Sequence, residues 1–452
     1  MADTVATQEF DLLVLGGGSA GYSAAIRATE LGMTVGLVER AKLGGTCLHT
    51  GCIPTKAYLH SAELADNARD GAKYGVNTTL ESIDLAKVRD HKNGIVAGKA
   101  KGLTGLLKMK KVQIIEGEGV LTAANTITVN GVAYTGKNLV LATGSTSKTM
   151  GLDITGRVIT STEALEMSEL PTSAIVLGGG VIGAEFASMW NSFGVDVTII
   201  EGLPSLVPNE DPAIIKVLER EFKKKGIKFK TGVFFEKVEQ DANQATVSLA
   251  DGTSVSADVV LVAVGRGPVT DGFGFAEQGV TLDRGFVITN ERLHTGVGNI
   301  YAIGDIVPGV QLAHRGYQQG IFVAEEIAGL NPVIVEDVNI PKVTFCEPEI
   351  MSVGYSQPKA EEKFGKDNIE TTEYNLAGNG KSSILGTSGL VKMIRVKNGL
   401  GGRFGEQVGE AQLIVNWEAF PEDVAHLIHA HPTQNESLGE AAMALAGKPL
   451  HG

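Results

Sequence analysis

Cys47 and Cys52 stand in the run Cys47-Leu48-His49-Thr50-Gly51-Cys52-Ile53-Pro54-Thr55-Lys56, and they are two of only three cysteines in the chain. A close pair in a cysteine-poor chain points to redox or metal work rather than a structural cross-link. A disulfide needs Cα atoms roughly 4.4–6.8 Å apart. Residues five apart on a regular α-helix lie about 8–9 Å apart. Bonding the pair therefore requires a distorted turn. Gly51 eases that distortion, and Pro54 suits the first turn of a helix that follows. A strained, accessible disulfide is also a reactive one. A metal site would need two further ligands at metal spacing, which the neighbouring sequence lacks. Two unrelated thiols is the plainest alternative. Cys346 reads as a small apolar core residue.

A second group lies near the C-terminus, where His426, His429 and His431 precede Pro432-Thr433-Gln434-Asn435-Glu436. Three histidines so close could be metal ligands, and a surface or helix-packing role is the plainer alternative, more so for His426 and His429 than for His431. His431 and Glu436 read as a base and the acid that orients it. A carboxylate fixes an imidazole and favours its charged form, which suits a residue that must take a proton.

Such groups need a scaffold, and an internal repeat indicates one. The apolar run Phe10–Leu15 leads into Gly16-Gly17-Gly18-Ser19-Ala20-Gly21, a helical pattern to Leu31, Gly32, and a second apolar run ending at Glu39. The series recurs 162 positions later, from Ala174–Leu177 through Gly178-Gly179-Gly180-Val181-Ile182-Gly183 and Gly194 to Glu201. In both copies the first glycine precedes the acid by 23 residues. One G-x-G-x-x-G is weak evidence. Two in strand–turn–helix context, each with its acid, indicate two dinucleotide sites. Gly16 and Gly178 permit the tight turn, Gly18 and Gly180 admit a pyrophosphate, and Gly21 and Gly183 let helix pack on strand. The helix N-termini offer free N–H groups to phosphate. Glu39 and Glu201 can each accept from a ribose diol. No Lys or Arg follows Glu201 until Lys216, so the second site is expected to take NAD rather than NADP.

Downstream, Tyr58–Lys111 reads as largely helical and Val112–Val140 as short strands with an Asn130-Gly131 turn. Val259–Val264 and Asn299–Ile303 read as buried strands. An α+β pattern begins near Pro341. Length and composition agree with a folded protein of about three domains, since 43% of 452 residues are apolar and 20% charged. A net charge of −13 argues against nucleic acid as a partner, because that binding needs a basic face. The sequence holds no run of 18 apolar residues and no apolar leader, so neither membrane insertion nor secretion is expected and the location reads as cytoplasmic.

The stretch Gly44-Gly45-Thr46-Cys47 through Lys56 resembles the active-site segment of the pyridine nucleotide–disulfide oxidoreductases, and the likeness extends over nearly the whole chain. Ala142-Thr143-Gly144 and Tyr301-Ala302-Ile303-Gly304-Asp305 look like two further signatures of that family on the FAD side. The resemblance implies an α/β fold with two Rossmann-like domains, for FAD and NAD(P), plus a C-terminal α+β dimerisation domain. It implies an FAD-binding domain at 1–147, an NAD-binding domain at 148–271, a central domain completing the FAD site at 272–341 and an interface domain at 342–452. By the same likeness Cys47 and Cys52 form the redox disulfide, and Lys56 sits near the flavin paired with Glu185. Gly16, Gly18, Gly21, Glu39, Lys56, Thr143, Gly144, Asp305 and Ala313 would serve FAD; Gly178, Gly180, Gly183, Glu201 and Gly265 would serve NAD. No metal is implied.

The segment from His429 to Glu436 resembles the C-terminal signature of dihydrolipoamide dehydrogenases. That likeness implies a homodimer in which His431 reaches the disulfide of the other subunit. The expected chemistry is oxidation of dihydrolipoamide on lipoyl-bearing domains of 2-oxo acid dehydrogenase complexes, with electrons passing through the disulfide and FAD to NAD. A glutathione-reductase-like enzyme would prefer NADPH, which the cation-poor stretch after Glu201 disfavours. A mercuric-ion reductase would carry a further cysteine pair near the C-terminus. An inactive flavin-binding scaffold would not need both Cys47–Cys52 and His431–Glu436. One departure stands out. After the strand Leu390–Val396 and the turn Asn398-Gly399, the family pattern implies a return strand of roughly eight residues. The sequence instead has Leu400-Gly401-Gly402-Arg403-Phe404-Gly405 and then a helical pattern through Val415. A missing strand would leave a sheet edge open and weaken a dimer.

Overall fold

The computed structural model describes residues 8–396, 408–431 and 433–448. Two parallel sheets organise it. In the first, Gln8–Leu15 lies between Val35–Glu39 and Val132–Leu141, all parallel. Gln113–Glu116 extends one side, and Ile300–Ala302 joins the C-terminal half of Val132–Leu141 on the other. The N-terminal half of that strand pairs antiparallel with Thr126–Val129, which pairs with Gly119–Ala123. Asn130 and Gly131 close this hairpin at φ of 51° and 79°, as a two-residue turn requires.

In the second sheet Ser173–Leu177 lies between Asp196–Glu201 and Val259–Val262, with Lys228–Thr231 and Val158–Ile159 outside, all parallel. Leu12, Leu13 and Val14 in one sheet, and Ile175, Val176 and Leu177 in the other, are fully buried. Strands covered on both faces need such unbroken apolar runs. In each sheet the central strand ends at a glycine turn and continues as a helix, Ser19–Glu30 or Val181–Ser192. Helices Val181–Ser192 and Pro212–Lys224 fill one face of the second sheet with Phe186, Trp190, Leu218 and Phe222. An antiparallel sheet of Phe235–Gln240, Ala245–Leu249 and Ser254–Ala257 covers the other with Val247 and Leu249.

The chain leaves the first sheet through Ser145–Ser147 and returns through Arg266–Pro268, and these two short strands pair antiparallel. Between Val35–Glu39 and Gln113–Glu116 run the helices Gly45–His49, Cys52–Asp70 and Leu85–Met109. Helix Cys52–Asp70 packs on Val181–Ser192, which brings the cysteine segment between the two sheets. The C-terminal part holds the hairpin Ile369–Asn375 with Leu390–Val396, packed under Ala411 and Leu438 by Tyr374, Val391 and Met393. Among the described residues Leu390–Val396 pairs with that partner alone. The turn at Asn398-Gly399 and the departure at 400–405 lie outside the described residues. No helix among the described residues is long and apolar enough to cross a membrane.

A buried ion pair joins the second sheet's layer to the C-terminal part. Lys392 Nζ lies 3.0 Å from Asp211 Oδ1, with 6% and 0% of the side chains exposed. Burial pushes the Asp211 carboxyl up, but the Gln357 N–H, Lys392 and the Ala213 N–H outweigh it and hold it below its ordinary value. A depressed carboxyl stabilises the fold above the unfolded-state pKa of about 4, and that contribution is lost as pH falls through the folded value. Removing Asp211 leaves the buried ammonium with Gln357 Oε1 at 2.7 Å and Glu373 at 3.5 Å. Asp211→Ala is expected to cost up to about 3–5 kcal/mol, read as a lowered urea midpoint, whereas an unchanged midpoint would show that Glu373 and Gln357 suffice for Lys392.

Candidate active site

The two glycine turns are near copies. Gly16 and Gly178 adopt φ of +108° and +102°, and a Cβ on either would lie 2.3 Å from Ala142 O or 2.5 Å from Ala263 O, just past the neighbouring strand of each sheet. A Cβ at Gly21 would lie 1.8 Å from Gly16 O, and one at Gly183 would lie 1.9 Å from Gly178 O. Only glycine lets each helix start that close to its strand. A Cβ at Gly18 or Gly180 would meet nothing within 4 Å, and neither helix has a side-chain cap. The first-turn N–H groups thus face open space, which fits a pyrophosphate at both turns.

Glu39 accepts from Gly17 N and Ala41 N at 2.7 Å each. Glu201 accepts from Gly179 N and Leu203 N at 2.6 and 2.7 Å. Both acids are therefore locked beside their turns, with lone pairs left for a ribose diol. Gly265 follows the last strand of the second sheet at φ +105°.

Cys47 sits in the helix Gly45–His49, which stops at Thr50. Gly51, at φ −137° and ψ −111°, breaks the path, and Cys52 opens the 19-residue helix that follows. The distorted turn expected from the spacing is therefore present, with Pro54 in the first turn. Both cysteines are free thiols, Cys52 exposed and Cys47 half-buried. The Cys52 sulfur and burial push the Cys47 thiol far up. In return the Cys47 S–H, opposed by burial and helped by Lys56, draws Cys52 down to about 7. A helix N-terminus also favours a thiolate.

Lys56 Nζ donates to both oxygens of Glu185, at 2.8 and 2.9 Å. Glu185 is buried in helix Val181–Ser192 and also accepts from Phe345 N at 3.0 Å. Lys56 Nζ sits 4.6 Å from the centre of the Phe345 ring. One ion pair thus ties the cysteine helix to the second sheet and the C-terminal part.

Asp305 lies in the turn after Ile300–Ala302 and accepts from Ser145 Oγ at 2.5 Å. Thr143 Oγ1 donates to Val269 O at 2.6 Å, and Gly144 has φ +76°. Ala313 opens the helix Ala313–Ile327, again without a side-chain cap. That helix packs along Ser19–Glu30, where a Cβ at Gly320 would come within 2.4 Å of Ala20 O. Thr143, Gly144, Asp305 and the Gly16–Gly21 turn are thereby gathered at one end of the first sheet.

His431 Nδ1 lies 2.8 Å from Glu436 Oε1, and its side chain is 77% exposed. Burial pushes the Glu436 carboxyl up, but the Thr433 N–H and His431 outweigh it, so it stays below its ordinary value and ionised at neutral pH. Among the described residues, no hydrogen bond or ion pair joins His431 to either cysteine.

Several residues escaped the sequence reading. His429 is not a plain surface histidine: its Nε2 lies 2.7 Å from Glu410 Oε1, and Asn435 Nδ2 holds the other oxygen at 2.9 Å. Gln319 accepts from Gly304 N at 2.8 Å beside Asp305. Tyr22 and Tyr317 face each other with ring centres 5.7 Å apart. Arg266 donates to Ser145. The four-residue spacing of Gly316 and Gly320 was a readable sign of close helix packing; the others had no local signal. Cys346 is buried, as read.

Paired nucleotide turns around a dithiol define a class, and comparison supports it. Residues 10–320 match the family of pyridine nucleotide-disulphide oxidoreductases, and residues 340–442 match the dimerisation domain of that family. The chain belongs to this family. Within it, the chain is 38% identical to a dihydrolipoyl dehydrogenase of Bacillus subtilis over 98% of its own length and 99% of the relative's. It is also 38% identical to one of Geobacillus stearothermophilus, over 98% and 97%. Among solved structures, the HOCl-induced flavoprotein disulfide reductase RclA of Escherichia coli, as a Cu(II) complex, superposes with a TM-score of 0.86 at 25% identity over 97% and 100% of the two chains. LpdA of Mycobacterium tuberculosis gives 0.88 at 24% identity over 97% and 100%, which speaks for the fold.

Proposed function

We propose that the protein oxidises protein-bound dihydrolipoamide to lipoamide with reduction of NAD to NADH. The observation that carries this reading is the Cys47–Cys52 pair at a broken helix start, held between two glycine turns that each keep a carboxylate. The full-length likeness to dihydrolipoyl dehydrogenases supports the substrate. Gly16, Gly18, Gly21, Glu39, Thr143, Gly144, Asp305 and Ala313 would hold FAD. Gly178, Gly180, Gly183, Glu201 and Gly265 would hold NAD. When bound, FAD supplies a two-electron carrier between the dithiol and the nicotinamide.

The chain's own groups do the thiol chemistry. His431, oriented by Glu436, takes a proton from one substrate thiol. The thiolate attacks Cys47 of the oxidised pair, breaking the Cys47–Cys52 bond and releasing Cys52 as a thiolate. Cys52 is the better leaving sulfur because it opens a helix, whose N-terminus favours a thiolate. The second substrate thiol then displaces Cys47, closing lipoamide. Lys56, fixed by Glu185, places positive charge beside Cys52.

The reading divides the chain at 147, 271 and 341 into FAD, NAD, central and interface domains. It also includes a homodimer in which His431 serves the partner's cysteines, lipoyl-bearing domains as partners, and a cytoplasmic location. The deciding assay is NADH formation from dihydrolipoamide and NAD, with NADP as control. Rapid turnover with NAD alone is expected. An FAD-loaded protein that turned over glutathione disulfide with NADPH instead would refute it.

A further inference from the structure

Glu410 lies in the first turn of the helix Val408–Asn416, and its one carboxylate holds two points of the C-terminal segment. Its Oε1 lies 2.7 Å from His429 Nε2, and its Oε2 accepts from Asn435 Nδ2 at 2.9 Å. Residues 429 and 435 flank the stretch that carries His431, and Asn435 directly precedes Glu436. The two carboxylate–imidazole pairs here differ in access. His431 keeps 77% of its side chain exposed, whereas His429 keeps 11% and Glu410 22%. The other edge of the His429 ring faces the helix Glu436–Leu445, where a Cβ at Gly439 would lie 2.7 Å from Nδ1. With Nε2 on Glu410 and Nδ1 against Gly439, His429 has no nitrogen open to a substrate.

The stretch also has bonds of its own. Thr433 N donates to Glu436 Oε2 at 2.8 Å, and Thr433 Oγ1 donates to Ala430 O at 2.7 Å. These shape the stretch but do not fasten it to the rest of the chain. Fastening comes from Asn379, whose Nδ2 donates to Thr433 O at 2.8 Å, and from Glu410 at both flanks. A base as exposed as His431 gains little position from packing, so its place depends on the backbone that carries it. Displacing a reacting group by about 1 Å can cost on the order of 10²-fold in rate, which makes a tie at both flanks matter to turnover.

We propose that Glu410 is a positioning residue for the thiol chemistry, clamping the His431 stretch through His429 and Asn435, and that His429 is a strut rather than a second base. This role rests on the reading of His431 as the base. Glu410 moves no proton in it; the carboxylate sets where the His431–Glu436 pair stands. Among the described residues no hydrogen bond or ion pair joins Glu410 to Cys47 or Cys52, so its effect on turnover is expected to pass through His431.

The test is a double-mutant cycle on dihydrolipoamide oxidation by the holoenzyme. Glu410→Ala is expected to lower kcat about ten- to a hundredfold with KM little changed. In the His431→Gln background the same substitution should cost about twofold or less, because groups that act as a unit are not additive. The same factor in both backgrounds would mean a merely structural loss and would overturn the proposal, as would full activity in Glu410→Ala. Glu410→Gln, whose amide still reaches both partners, should restore most of kcat. Asn435→Ala frees one flank only and serves where Glu410→Ala fails to fold; its smaller loss should vanish in the His431→Gln background, and a loss that persists there would overturn the proposal. Diethyl pyrocarbonate labelling, mapped by mass spectrometry, reads the clamp without any substrate. In the unsubstituted protein His431 should label quickly and His429 slowly, and Glu410→Ala or Asn435→Ala should speed labelling at His429. Equal rates at the two histidines from the start would overturn the clamp. Normal turnover in His431→Gln alone would refute the reading beneath the proposal, and the labelling would still decide whether the clamp exists.

Discussion

Cys47→Ser is expected to lose at least about 10⁴ of the rate enhancement typical of an enzyme, while the protein still binds flavin and stays folded. The hydroxyl cannot form the mixed disulfide, and no other described sulfur can replace it: Cys346 is buried, its thiol pushed well up by that burial and by Glu185. The same variant should change its partner. Cys52 is drawn to about 7 first by the Cys47 S–H, against burial and with help from Lys56. Without that donor the Cys52 pKa should rise, so the lone thiol should ionise at higher pH than the reduced pair. Dihydrolipoamide turnover and ultraviolet thiolate titration measure the two effects. Normal turnover would remove Cys47 from the mechanism, and a lone Cys52 titrating at about 7 would mean that Lys56 and the helix end suffice.

The second large effect belongs to His431. His431→Gln should lower kcat about 10²–10⁴-fold, the usual contribution of a positioned base, with KM changed little. The residual rate should climb as pH approaches the ordinary thiol pKa, because the substrate then ionises unaided. A sharper result comes from mixing. Homodimers of Cys47→Ser and of His431→Gln should each be nearly inactive. If His431 serves the partner's cysteines, subunit exchange creates one site with both groups intact, and activity returns. If it serves its own chain, every site in the mixture lacks one group and activity stays at background. The 77% exposure of the His431 side chain leaves it free for such a partner.

The features legible in the sequence are those whose geometry is local. Gly16, Gly21 and Glu39 act within one strand–turn–helix unit, and so do Gly178, Gly183 and Glu201. Each unit satisfies its own hydrogen bonds, as Glu39 to Gly17 N and Glu201 to Gly179 N show. The break between Cys47 and Cys52 was legible for the same reason, since two sulfurs five apart cannot meet on an unbroken helix. Ser145, Arg266, Gln319 and Glu410 were illegible because their meaning is tertiary. Ser145 finds Arg266 across 121 positions and Asp305 across 160. His429 looked ordinary because Glu410 lies 19 residues upstream, on the helix Val408–Asn416. The strand Leu390–Val396 was read to the residue, whereas the departure after it falls outside the described residues.

The two-strand link carries a consequence for engineering. Ser147 and Arg266 are cross-strand partners, so the segment between them begins and ends at neighbouring points. A unit inserted at adjacent ends behaves as a cassette: it can be exchanged without stretching its host. On the proposed reading coenzyme choice rests on Glu201 inside that cassette, but the cassette also carries Glu185, which holds Lys56, and Asp211, which pairs with Lys392. A chimera accepting a phosphorylated dinucleotide could be assembled by grafting a donor segment between Ser147 and Arg266, provided the graft returns acids at the Glu185 and Asp211 positions.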